Sequence, residues 1–313
     1  MLVTWRRSSL FFASNTKFSV SVTALVKWHE TGIHALLARL KMSSPAYLKH
    51  LTNTGKVVHT DEGQSIPIWE LAVPPSDDAC LKDWATRFRQ NYCLDSDIDA
   101  LRDGTGLTRS QYLLDFAFPD GKVAPGPSIR AGDFAELLIS DYIEHVLGYW
   151  VPRGKYSEKE SRNESAKGVD ILGFKVVSSG KADPNDELLT YEVKAQLSET
   201  ASNAKLQEAI DHSHKDYLRA AISLNATKRR FIKGKDDEKI GLIARFQNKD
   251  DRPFIYKSGA AAMLSTAAFD EAKLKSSTIV NHVNMKNLQL IVIKGSGLMA
   301  LVHAIYKRAA DEA

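Results

Sequence analysis

The sequence predicts an α/β protein: a mixed β-sheet flanked by helices, preceded by an N-terminal accessory region. Three observations carry that expectation. Residues 132–150 repeat apolar side chains at helical spacing, with Phe134, Leu138, Ile139, Tyr142, Ile143 and Val146 on one arc. Residues 168–195 hold two strand-like runs, GVDILGF and LLTYEVKA, joined by a turn-rich segment that suits an antiparallel hairpin. Apolar runs and helical patterns then alternate to the carboxyl end, which is the signature of a layered α/β fold.

Taken in order, residues 1–41 contain six of the 42 Lys and Arg residues but only one of the 38 Asp and Glu residues. That composition leaves three readings open: a transit peptide, sequence upstream of a true start at Met42, or an ordinary helix over Thr23 to Leu40. Residues 42–128 read as an accessory or docking region, with a strand at Pro67 to Val73 and a helix over Asp77 to Tyr92. Gln111 to Phe118 is a short apolar run that fits a strand or a helix end. Lys122 to Ser128 (KVAPGPS) is turn-rich and sets a boundary, so that residues 129–313 form the main domain. There the expected order is helix, hairpin, helix (Ser198–Ala221), strand (Lys239–Phe246), helix (Ala262–Leu274), strand (Leu288–Ile293) and helix (Leu298–Arg308).

Composition excludes several classes. With 43% hydrophobic and 26% charged residues, the chain has ample material for a core. It has no apolar run long enough to span a bilayer. Its two cysteines, Cys80 and Cys93, lack zinc-finger companions and read as free thiols in a reducing compartment, the cytoplasm. The net charge of +4 stems from residues 1–41; the remainder sums to −1. Global charge therefore gives no argument for nucleic acid, and only local patches can.

The chemistry concentrates in the hairpin. Asp170 and Glu192 sit inside strands where apolar residues are normal, and buried charge is costly unless paired. Glu192 and Lys194 share one strand face, and pairing of the two strands sets Asp170 beside Glu192. Two adjacent carboxylates repel unless a cation intervenes. Hard oxygen donors without Cys or His favour Mg²⁺ or Mn²⁺, held by Asp170, Glu192 and the backbone carbonyl of Val193. Such a site suits phosphodiester hydrolysis, with Lys194 orienting or deprotonating water, or neutralising charge on the phosphate. On the preceding helix, Glu136 lies at the edge of the apolar arc; it is either a third acid of the site or a boundary residue turned to solvent.

Glu136 on a helix, Asp170 on a strand and Glu192-Val193-Lys194 on the next resemble the PD-(D/E)xK nuclease motif. The wider context, GDFAELLISDYIE, KGVDILGF and YEVKA, is similar to the nuclease subunit of the Hachiman anti-phage defence system. Motifs support the resemblance over about residues 130–310, and the general layout extends it to about residue 45. It implies a restriction-endonuclease-like core that cleaves DNA with Mg²⁺. Asp170 and Glu192 would bind the metal, Lys194 would be the catalytic lysine, and Glu136 would support that metal or a second one. It also implies a superfamily 2 helicase as partner, restraining the nuclease. Two positions depart from the pattern. Val169 rather than proline precedes Asp170, a common variation, and Gln207 is not followed four residues later by tyrosine, which weakens a claim to RecB-like exonuclease polarity.

For DNA contacts, Lys228, Arg229, Arg230, Lys233 and Lys235 form the densest patch, read either as a phosphate-binding segment or as a solvated loop. Arg162 and Lys167 lie closer to the Asp170 strand in sequence. His212 and His214, two apart on a helix, face different ways and make a poor metal pair. Gly295-Ser296-Gly297 lacks a Walker lysine and reads as a strand-to-helix turn. Two alternatives to an effector nuclease follow from the same residues: a non-catalytic interaction subunit whose acids and lysine form an ion-pair network, and a resolvase-type nuclease acting on branched DNA.

Overall fold

The computed structural model describes residues 44–178, 180–199 and 204–313. The expectations for residues 1–41, including the Thr23–Leu40 helix, lie outside the described residues. Residues 44–313 form one compact unit around a six-stranded mixed sheet of order β1-β2-β6-β5-β4-β3. The strands are β1 (Leu51–His59), β2 (Ser65–Leu71), β3 (Ile171–Lys175), β4 (Glu187–Gln196), β5 (Ile255–Ser265) and β6 (Leu288–Gly295). β2, β6, β5 and β4 run parallel, while β1 and β3 pair antiparallel at the two edges. The α/β class and mixed sheet read from the sequence are thus present, and the stretch read as accessory supplies β1 and β2 to that same sheet.

The helices are α1 (Asp78–Arg89), α2 (Ile98–Arg102), α3 (Arg109–Tyr112), α4 (Gly126–His145), α5 (Lys205–Ser213), α6 (Asp216–Lys233), α7 (Asp237–Arg245), α8 (Glu271–Lys275) and α9 (Leu298–Asp311). Strand side chains alternate between faces, and the central strands are apolar on both because helices cover both. Tyr191, Val193, Ile291 and Ile293 pack with α1, α4 and α9. Ala260, Ala262, Leu290 and Val292 pack with α5 and α8 on the opposite face. A third cluster joins Leu172, Phe174 and Leu188 to Leu224 of α6 and to Ile243 and Phe246. Cys80 and Cys93 are free and buried. Among the described residues no helix is long and apolar enough to cross a membrane.

Several elements differ from their sequence expectations. Lys239 to Phe246 is not a strand: it falls largely within α7, whose start Asp236 caps by accepting from the Lys239 N–H at 3.0 Å. A short apolar run has no decisive period, and the cap settles it. The expected helix at Ala262–Leu274 is instead the end of β5, followed by α8 with its own cap, Asp270. Ala260, Ala261 and Ala262 are fully buried between the helix layers, where their small size outweighs their helical propensity. The Ser198–Ala221 helix divides at His214–Lys215 into α5 and α6. Lys228, Arg229, Arg230 and Lys233 lie within α6 rather than in a segment after a helix. Of the two readings left open for Gln111–Phe118 the helical one holds, through Ala117, whereas α4 starts at Gly126, earlier than the expected Gly132. Gly295–Gly297 is the expected turn: a side chain on Gly295 would meet the Leu71 carbonyl at 2.6 Å, and Gly297 has φ +61°.

Candidate active site

The β3–β4 ladder pairs Ile171 with Tyr191. Continuing that register by one residue sets Asp170 opposite Glu192. Asp170 closes the ladder with its side chain, accepting from the Val193 N–H at 2.8 Å. Glu192 is 2% exposed, and Lys194, on the same face, donates to its Oε1 at 2.5 Å. Across the parallel β4–β5 ladder, their partners are Ala260 and Ala262, small residues that leave room for both long side chains. Tyr191, directly before Glu192 and on the opposite face, needs space as well, and Gly259 across the ladder provides it: a Cβ there would lie 2.1 Å from the ring.

Glu136 reaches this ladder end from α4. It accepts from the Tyr156 hydroxyl at 2.7 Å and pairs with Lys155. The Lys155 ammonium also donates to the Asp170 carbonyl at 2.5 Å, tying the helix acid to the strand acid. The four residues singled out in the sequence therefore come together from three separate elements. One turn earlier on α4, Asp133 pairs with Lys159 at 2.5 Å and accepts from the Tyr92 hydroxyl at 2.7 Å. The Lys159 side chain is 3% exposed, set near the Tyr92 and Tyr156 rings.

The electrostatics follow from this crowding. Burial, then the charges of Glu136 and Glu192, push the Asp170 carboxyl well above the usual range; Lys155 and the Val193 N–H only moderate the effect. Burial alone would lower the Lys194 pKa, but the hydrogen bond and charge of Glu192 reverse this, and the group stays an ammonium. Lys155 is raised likewise: burial pulls it down, but Glu136, Asp170 and Asp133 together outweigh burial.

Sequence reasoning missed the far side of Glu192. Arg219 of α6 donates to Glu192 Oε2 at 2.9 Å and to the His212 carbonyl at 3.1 Å, and it pairs with Asp216. His212 Nδ1 lies 3.3 Å from Glu192 Oε1, whereas His214 accepts from the Val283 N–H, so the two histidines do diverge. Asp216 is 0% exposed, and burial first, then Glu192, lifts its carboxyl to about 7 against the pull of Arg219. An arginine three residues after an aspartate on a helix was the available signal.

The donor chemistry fits a hard divalent cation at Asp170 and Glu192. Both offer carboxylate oxygens, and Asp170 carries repulsion from two neighbouring acids that a cation would relieve. Glu136 is held by Lys155 and Tyr156, and Glu136, Asp170 and Glu192 do not gather one oxygen each within 4.8 Å of one another. Among the basic candidates, Lys167 and Arg230 line the same cleft as Asp170 and Lys155. Arg230 pairs with Glu158 at 3.1 Å, and Lys228 bonds Gln247 at 2.8 Å, while Arg229 is exposed. Arg162 bonds the Leu114 carbonyl and Asp120, and so braces its own loop.

Fold and site together define an α/β protein with three acids and a lysine assembled at one end of a mixed sheet, flanked by two antiparallel edge strands. The HamA family model matches residues 45–309, and the chain belongs to the HamA family. HamA is a protein of the Hachiman anti-phage defence system, so the resemblance read from the sequence motifs holds at the level of the family. No curated protein and no solved structure matches the chain.

Proposed function

We propose that this protein is a metal-dependent deoxyribonuclease of the PD-(D/E)xK type, the effector of its defence system. The observation that carries this reading is the convergence of Glu136, Asp170, Glu192 and Lys194, far apart in sequence, at the β3–β4 ladder end. Asp170, Glu192 and the Val193 carbonyl would hold Mg²⁺ or Mn²⁺, with Glu136 supporting the site through Lys155. When bound, the cation supplies a Lewis acid for the phosphate and lowers the pKa of an attacking water.

The protein's own residues do the rest. Lys194, kept protonated by Glu192, is a donor aimed at charge that develops on the phosphate as the P–O bond breaks. That raised pKa argues against a neutral amine acting as base in this state. Asp170 and Glu192 gain from any cation that shields one from the other. Lys167 and Arg230 in the adjoining cleft would follow the DNA backbone, with Arg229 and Lys228 directly before Arg230 on α6. A superfamily 2 helicase as the restraining partner rests on the resemblance alone.

A second reading is favoured by a specific observation: the acids Glu136, Glu192 and Asp216 are each already paired with a cation. In that reading the cluster is a structural ion-pair network in a non-catalytic subunit. Plasmid cleavage by the purified protein, with and without Mg²⁺, separates the two. The nuclease reading expects Mg²⁺-dependent cutting that Glu192→Ala or Lys194→Ala abolishes. Cutting by both variants at the wild-type rate, or none by the wild type once freed from its partner, defeats it.

A further inference from the structure

The geometry points to Arg219 as a positioning residue for Glu192, with Asp216 as its backing; this deepens the nuclease reading and rests on it. One guanidinium nitrogen gathers three elements: Glu192 Oε2 of β4 at 2.9 Å, the His212 carbonyl near the end of α5 at 3.1 Å, and Asp216 at the start of α6. Glu192 thus has its two oxygens distinguished. Oε2 is bound to a group that is itself anchored at two further points. Oε1 is held by Lys194 at 2.5 Å and approached by His212 at 3.3 Å. A cation entering between Asp170 and Glu192 therefore meets Oε1, while Arg219 keeps the carboxylate plane fixed.

Packing alone does not account for this arrangement. Asp216 Oδ2 and Arg219 Nε are buried without hydrogen-bond partners, although the Arg219 side chain as a whole is part-exposed, and an ion pair with unsatisfied buried atoms is a weak source of stability. What the pair accomplishes is orientation without net charge: Asp216 offsets the guanidinium, so Glu192 is steadied while the site keeps its attraction for a cation. Groups that orient a metal ligand from behind commonly affect affinity by about 10–100-fold when lost.

Titration calorimetry of Mn²⁺ into the full chain without DNA tests this, using wild type, Arg219→Met, Arg219→Lys and Asp170→Asn, with melting curves to verify folding. Arg219→Met removes a positive charge beside the site, and charge alone would tighten cation binding. Positioning instead requires weaker binding, by about 10-fold or more, with Arg219→Lys in between. Equal or tighter binding by Arg219→Met overturns the proposal. If that variant does not fold, Arg219→Lys decides: weaker binding supports positioning and unchanged binding overturns it. Wild-type protein that binds no Mn²⁺, or binds it regardless of Asp170→Asn, brings down the metal site itself and the proposal with it.

Discussion

Asp133 lies one turn before Glu136 on α4 and shows what burial does to a carboxyl in this protein. It is 3% exposed, and burial raises its pKa to about 6 even with Lys159 beside it. A carboxyl whose folded pKa exceeds its unfolded value stabilises the fold below the unfolded value, near 4, and that contribution is lost as pH rises through about 6. Wild-type stability should therefore fall over this window by an amount on the order of 3 kcal/mol from this group. Asp133→Asn, which cannot ionise, should gain on wild type as pH rises from 4 to 7, measured as the difference between their melting temperatures. A difference that stays constant with pH contradicts the assignment. Within the proposed site, Lys194→Ala removes the ammonium that would face the phosphate in the proposed reaction. The loss should be about 100- to 1,000-fold in single-turnover cleavage rate, with DNA affinity changed far less. A loss of affinity equal to the loss of rate would mean that Lys194 serves binding and not the chemical step.

The β4–β5 ladder is the element that sets the site, and its tightest point is Tyr191 folded over Gly259. Gly259→Ala would place a methyl 2.1 Å from the Tyr191 ring, so either the ring or the strand must move. Overpacking of this kind typically costs about 1–3 kcal/mol. Because Glu192 follows Tyr191 directly, cleavage should fall along with the melting temperature; full activity at a lowered melting temperature would show that the strand absorbs the strain elsewhere. This same ladder marks the limit of what the sequence discloses. Period-two alternation around Asp170, Glu192 and Lys194 was legible because acids in a strand violate an ordinary pattern. Gly259-Ala-Ala-Ala violates none: only the helices pressing on both faces make it a strand. KIGLIARF was misread for the converse reason, since five apolar residues in eight satisfy either period until Asp236 is seen as a cap. The links of Lys155 to Glu136 and of Arg219 to Glu192 were not legible because the partners stand 19 and 27 positions apart, and no local rule spans such distances; only the pairing of Arg219 with Asp216 was local.

Across the whole molecule, α6 links the two halves of the proposed reaction. Arg219, Ser223, Thr227 and Arg230 fall on one face of the helix, by the 3.6-residue period. At the first position Arg219 holds Glu192; at the second, Ser223 accepts from the Val169 N–H at 3.0 Å, pinning the residue before Asp170. At the last, Arg230 stands in the cleft beside Lys167. Eleven residues of helix span roughly 16 Å, a length over which a nucleic-acid strand presents several phosphates. A strand drawn along this face would enter past Arg230 and Lys167 and deliver a phosphodiester to the Asp170–Glu192 end. Contacts of that kind are electrostatic and insensitive to base sequence. Replacing Lys167 and Arg230 together by glutamine should weaken DNA binding for every sequence tested and lower the dependence of log K on log salt by about 1 to 2 in slope. Mn²⁺ binding without DNA should be unaffected, because neither side chain bonds Asp170 or Glu192. A salt slope identical to wild type would move the DNA path off this face of α6 and leave Arg229 and Lys228, which project elsewhere on the helix, as the cations to examine.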